Sequence, residues 1–127
     1  MKRDFNLIRL ILLDIEKGIY REIEIERYSP EEVINHVILM YESGLLNKDQ
    51  PNYITMWGHD FLDLCRPEDR WNRVMEQVRK VNGVPFDILI MLLNRETINE
   101  LGLSSRPGTV TKVYPGPDNP GPGGDTQ

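Results

Sequence analysis

A chain of 127 residues, 39% of them apolar, is long enough for one modest hydrophobic core and too short for several. Its formal net charge of −5 runs against the broad basic surface on which most nucleic-acid affinity depends. No apolar run approaches the roughly 20 residues that cross a bilayer, and the single cysteine, Cys65, excludes an intrachain disulfide, so no membrane role is expected and a cytoplasmic setting fits.

The chain opens Met1-Lys2-Arg3-Asp4. Asp4, Arg9 and Asp14 interrupt the apolar stretch that follows, and no small-residue cleavage site comes after it, so it does not read as a signal peptide. Asp4 is instead placed to cap a first helix running to about Lys17, with Phe5, Ile8, Ile11 or Leu12, and Ile15 at helical spacing. Leu7, Leu10 and Leu13 widen its apolar arc, so this helix is buried on most sides or offers a face to a partner. Gly18 is a plausible stop.

Residues 21–26 alternate, with Ile23 and Ile25 to one side and Glu22, Glu24 and Glu26 to the other. This is the pattern of a half-buried strand. The glutamate row reads as a solvated edge that discourages aggregation, or as a docking row for a basic partner.

Ser29-Pro30-Glu31-Glu32 is a strong helix start: Ser29 caps, Pro30 suits the first helical position, and Glu32 completes a capping box. Val33, Ile34, Val37, Ile38 and Tyr41 give this second helix a wide apolar face, and Gly44 ends it. Leu45-Leu46 and Tyr53-Ile54 then flank a turn, Lys48-Asp49-Gln50-Pro51-Asn52, which reads as a small wing between two short strands. Thr55 caps a short third helix, broken at Arg66-Pro67.

A fourth helix is predicted from Pro67 to Val81, with Trp71, Val74, Val78 and Val81 on one side and Asn82-Gly83 at its end. A fifth opens at Pro85 or Asp87 and ends near Leu101-Gly102. From residue 104 onward the chain is rich in Pro and Gly and is expected to be a disordered tail. Within it, residues 110–114 (Val-Thr-Lys-Val-Tyr) have strand-forming character.

The functional signals are sparse. The second helix carries Glu31, Glu32 and Glu42 and no Lys or Arg, so phosphates would repel it; Asn35 and His36 are its only side chains suited to base or partner contact. Lys48 is the only cation of the wing. Arg66, Arg70, Arg73, Gln77 and Lys80 recur at spacings that line one helix face, a candidate interaction surface for phosphates or an acidic partner, or else a solvated face. Trp57 is a candidate anchor for a partner, and Trp71 reads as core. His36, His59 and Cys65 have no metal-ligand spacing, and no glycine-rich phosphate loop is present, so no metal, cofactor or small-molecule substrate is expected. Cys65 reads as a structural thiol rather than a nucleophile.

Several separated blocks carry a resemblance. M-K-R-D-F-N-L-I-R at the start, then Y-S-P-E-E-V-I-N-H-V-I-L-M-Y-E-S-G-L-L, I-T-M-W-G-H-D-F-L-D, W-N-R-V and G-V-P-F-D-I-L resemble a family of short uncharacterised bacterial and phage proteins. The resemblance spans about residues 1–103 and implies a winged helix in a cytoplasmic, prophage-type setting. H-V-I-L-M-Y-E-S-G-L-L is also similar to the helix-to-wing passage of multiple-antibiotic-resistance-type regulators, although this chain has one helix, not two, before Gly44.

The expectation is therefore an α+β, mainly α, winged-helix-like domain over residues 1–103. It has a small antiparallel sheet, two further C-terminal helices and a flexible tail over 104–127. Its expected role is non-enzymatic: protein binding or self-association. The alternative is a DNA-binding regulator that contacts phosphates through the 66–80 face and the wing.

Overall fold

In the computed structural model, which describes residues 1–18, 22–50 and 52–103, the regular structure is α-helical. The helices are α1 (Phe5–Glu16), α2 (Pro30–Glu42), α3 (Met56–Cys65), α4 (Glu68–Lys80) and α5 (Phe86–Glu100). The chain divides into two compact units. One takes in Met1–Leu62 and the other begins at Asp63, so the boundary falls within α3.

In the first unit α1 packs against α2. Asp4 caps α1 by accepting from the N–H groups of Asn6 and Leu7 at 2.9 and 3.3 Å. Leu7, Ile8, Ile11 and Leu12 are buried, while Leu10, Leu13 and Ile15 are half-buried, so the wide arc of α1 is largely covered. The capping box of α2 forms as its sequence dictates: Ser29 Oγ accepts from Glu32 N–H, and Glu32 Oε1 accepts from Ser29 N–H. The helix ends in a Schellman turn. Gly44 has φ +81°, Leu45 N–H donates to Met40 O, and Gly44 N–H donates to Tyr41 O.

The expected antiparallel sheet is not formed, and with it the winged-helix assignment is withdrawn. Among the described residues the pairing shrinks to one antiparallel bridge, Leu46 with Ile54, flanked by bonds from Asn47 N–H to Tyr53 O and from Thr55 N–H to Leu45 O. The ladder has no room to grow. On one side Leu45 and Leu46 both donate their N–H groups to Met40 O at the end of α2. On the other, Thr55 already caps α3: its hydroxyl accepts from Gly58 N–H and donates to Gly44 O. Residues 22–25 keep the alternating exposure of a strand and form no strand. The start of that expected strand at Arg21, Pro51 of the turn, and the tail with its 110–114 segment lie outside the described residues.

In the second unit α4 packs against α5. Trp71, Val74 and Val78 of α4 are buried, as their spacing predicts, with Leu89, Ile90 and Leu93 of α5. Val81, expected on the same side, is 62% exposed, because α4 ends at Lys80 and Val81 leaves the helical path as its C-cap.

Gly58 lies in α3 against the bridge. A β-carbon there would overlap Leu45 O and lie 2.7 Å from Ile54 Cγ2. Alanine normally favours a helix over glycine by about 1 kcal/mol. At this position Gly58→Ala is expected to destabilise the fold by roughly 1–3 kcal/mol, because the obstructing atom is backbone. Urea unfolding of wild type and variant measures the sign directly.

Candidate functional site

The orientation of α2 about its own axis decides what the first unit presents. Its buried residues are Val33, His36 and Met40. His36 is 2% exposed, and its Nε2 accepts from the backbone N–H of Asp4 at 2.9 Å. Its Nδ1 lies 2.8 Å from Glu32 O. A ring nitrogen that accepts from an amide carries no proton, so the imidazole is the neutral Nδ1–H tautomer and donates to Glu32 O. Asp4 also receives the Tyr28 hydroxyl, which donates to Oδ2 at 2.9 Å. One residue thus ties the start of α1, the approach to α2 and α2 itself.

With His36 and Met40 turned inward, Ile34 and Ile38 face outward, 58% and 46% exposed. Beside them the 22–28 segment forms a second wall, and a groove of roughly 1060 Å³ lies between the two. Val33, Val37 and Tyr41 line it from α2, and Ile23 and Ile25 from the segment. The charges that line it are Glu22, Glu24, Glu26 and Arg27. Arg27 has φ +77°, a left-handed conformation that a non-glycine residue adopts at a cost of about 1–3 kcal/mol when the surroundings enforce it.

The second unit shows what becomes of the basic helix face. Arg70 is 9% exposed. Its Nε and Nη2 donate to the two carboxylate oxygens of Glu100 at 3.0 and 2.7 Å, and its Nη1 donates to Leu64 O at 2.8 Å and to Asp63 O at 3.3 Å. The guanidinium therefore closes the last turn of α3 and clamps α5. Arg73 donates to Glu96 at 2.9 Å and to Glu100 at 2.6 Å, and Gln77 donates to Glu96 at 3.3 Å. Arg66 lies on the surface 3.4 Å from Asp63, and Lys80 is exposed. The central part of the stripe is a seam between α4 and α5.

Of the other candidate residues, Asn35 is half-buried, Lys48 is exposed, Trp57 is half-buried and Cys65 is fully buried. Ile34 and Ile38, read from the sequence as part of a wide apolar face, are the members of that face that the structure leaves exposed. Glu96 and Glu100 were the overlooked partners of the stripe, although they share a face of α5 at i, i+4 just as Arg70, Arg73 and Gln77 share a face of α4 at spacings of three and four. Among the described residues no His, Cys, Asp and Glu side chains gather as a metal-binding group, and no helix is long and apolar enough to cross a membrane.

A family model described as "Hypothetical protein (DUF2513)" matches residues 2–85. The chain belongs to this family. Its function is unknown, so no site residue is inherited from it. The match takes in residues 2–62 of the first unit, including Asp4, Tyr28, His36 and the groove, and ends just before α5. No match is found among curated proteins or among solved structures.

Two titrations report on these networks. Burial, and then the bond to the Asp4 carboxylate, push the Tyr28 hydroxyl from its ordinary 10.0 up to about 12. The unfolded chain releases this proton first, so the contribution is intact below pH 10 and is lost as the pH rises toward 12. Phenolate absorbance is expected to show a late-titrating component that Tyr28→Phe removes. Glu100 is shifted the other way: the hydrogen bonds from Arg70 hold its carboxyl below the ordinary 4.5. Its contribution is present above that value and is lost as pH falls through the lowered one. Glu100→Gln is expected to flatten the acid limb of stability below pH 4.5 in thermal melts.

Proposed function

We propose that this protein is a non-enzymatic binding module that holds a segment of a partner protein in the groove between α2 and residues 22–28. The observation that carries this reading is the outward placement of Ile34 and Ile38 on the wall of a groove floored by Val33 and Val37. Fully burying one isoleucine is worth about 1.5–3 kcal/mol, so two exposed on one face are a large unclaimed driving force for association. The volume of roughly 1060 Å³ exceeds the roughly 300–1,000 Å³ typical of small-ligand sites and suits several residues of polypeptide. The family's setting in short bacterial and prophage proteins belongs to the same proposal.

The phosphate-binding alternative draws no support from the basic face. Arg70 and Arg73 already answer the carboxylates of Glu96 and Glu100. The cations still projecting from that face, Arg66 and Lys80, are few for a phosphate-tracking surface.

The test is selection of random peptides on the full-length chain, followed by affinity measurement. Selected peptides are expected to lose roughly 30-fold in affinity, about 2 kcal/mol, on the double variant Ile34→Asp with Ile38→Asp. Peptides that bind parent and variant alike would place the interaction elsewhere. Salt-sensitive micromolar binding of unrelated duplex DNA would favour the alternative.

A further inference from the structure

The two walls of the groove differ in chemistry, and the difference specifies the occupant. The α2 wall is apolar. On the opposite wall Glu22, Glu24 and Glu26 are exposed, while Ile23 and Ile25 are half-buried. Among the described residues no backbone hydrogen bond is made by Ile23, Glu24 or Glu26; Ile25 O accepts from Tyr28 N–H at 3.1 Å. A segment with alternating side chains and open backbone groups is an edge to which a second extended chain adds through its main chain. Glu24 and Glu26 against the one guanidinium of Arg27 leave the groove negative.

Resting on the groove reading above, we infer that the occupant is an extended segment of a partner protein in which apolar residues alternate with Lys or Arg. Its apolar side chains lie against Val37 and Ile38. Its cations meet Glu24 and Glu26, and its backbone pairs along residues 23–26. The alternation needed is the one the 22–26 wall itself shows, because side chains on neighbouring extended strands share a period of two. A second copy of this chain fits poorly: each copy carries a net charge of −5, and docking at the same groove would set one glutamate row beside another.

The experiment compares two labelled dodecapeptides by fluorescence anisotropy on the full-length chain. One alternates Val with Lys and the other Val with Glu. The Lys peptide is expected to bind roughly tenfold or more tightly than the Glu peptide, and to weaken as salt rises. Glu24→Lys with Glu26→Lys is expected to lower its affinity about tenfold and to improve that of the Glu peptide. Both substituted residues are exposed, and circular dichroism confirms that the variant folds. Glu68→Lys with Asp69→Lys makes the same change in net charge at exposed residues outside the groove, and is expected to change affinity less than twofold.

Equal binding of both peptides, lost on Ile34→Asp with Ile38→Asp, would leave the groove standing and overturn the basic occupant. Binding indifferent to the isoleucine substitutions would overturn the groove itself. Equal weakening by the Glu68 and Asp69 control would mark the attraction as non-specific and overturn the inference. A dimer in sedimentation velocity that dissolves on Ile38→Asp would assign the groove to a second copy and overturn it as well.

Discussion

The organisation of the first unit depends on one part-buried hydrogen bond, from the backbone N–H of Asp4 to His36 Nε2. The donor is one of the amides at the start of α1 that no intrahelical carbonyl can satisfy. A fully buried amide left without an acceptor costs about 1–3 kcal/mol, and a part-buried one a share of that, which favours keeping the imidazole inside. That requirement fixes the rotation of α2. Ile34 and Ile38 each stand two positions from His36, or about 200° around the helix axis. They cannot enter the core while His36 occupies it. The exposure of two isoleucines, which looks like a defect of packing, follows from the satisfaction of a polar group elsewhere.

The same logic explains which parts of the fold could be read from residues alone. Caps and stops are local: Asp4, Ser29 with Glu32, and Gly44 each act on atoms a few positions away, and each acts as its sequence context dictates. The helical core face of α4 was legible as far as Val78, since Trp71, Val74 and Val78 repeat at helical spacing, whereas Val81 falls past the helix end and is exposed. The sheet was misread because alternation in 22–26, and short apolar runs at 45–46 and 53–54, show only that a strand would be compatible. Whether a ladder forms depends on partners, and the donors of Leu45 and Leu46 were already committed to the end of α2. The face of α2 was misread for a related reason. His36 was read as a residue for base or partner contact, but an amide 32 residues away holds it inward, which leaves Ile34 and Ile38 of the apolar face exposed. No local pattern encodes such a long-range match.

The basic stripe illustrates a second limit. Arg70, Arg73 and Gln77 do share a helix face, as their spacing predicts. Spacing says nothing about what stands opposite. Arg70 illustrates the consequence, since one planar guanidinium satisfies both oxygens of Glu100 and two carbonyls at the end of α3. Lysine has no fork of donors with which to serve a carboxylate and a helix end at once, which gives a structural reason for arginine at that position.

These points bear on where a partner is recognised. A charged surface whose groups already answer each other contributes little to a new interface, because any partner must first displace the existing pairs. An apolar surface held open by an internal polar requirement has no such competitor. In this chain the first description fits the α4–α5 seam and the second fits α2. The glutamates at 24 and 26 lie at the edge of that apolar surface and remain exposed, so their field adds direction to what would otherwise be non-specific hydrophobic contact. On the proposed reading, affinity would come from the isoleucines and selectivity from the carboxylates. Burying charge at the centre of the groove would blur that division, because desolvation would cancel much of the attraction. Keeping the carboxylates at the rim avoids that cancellation.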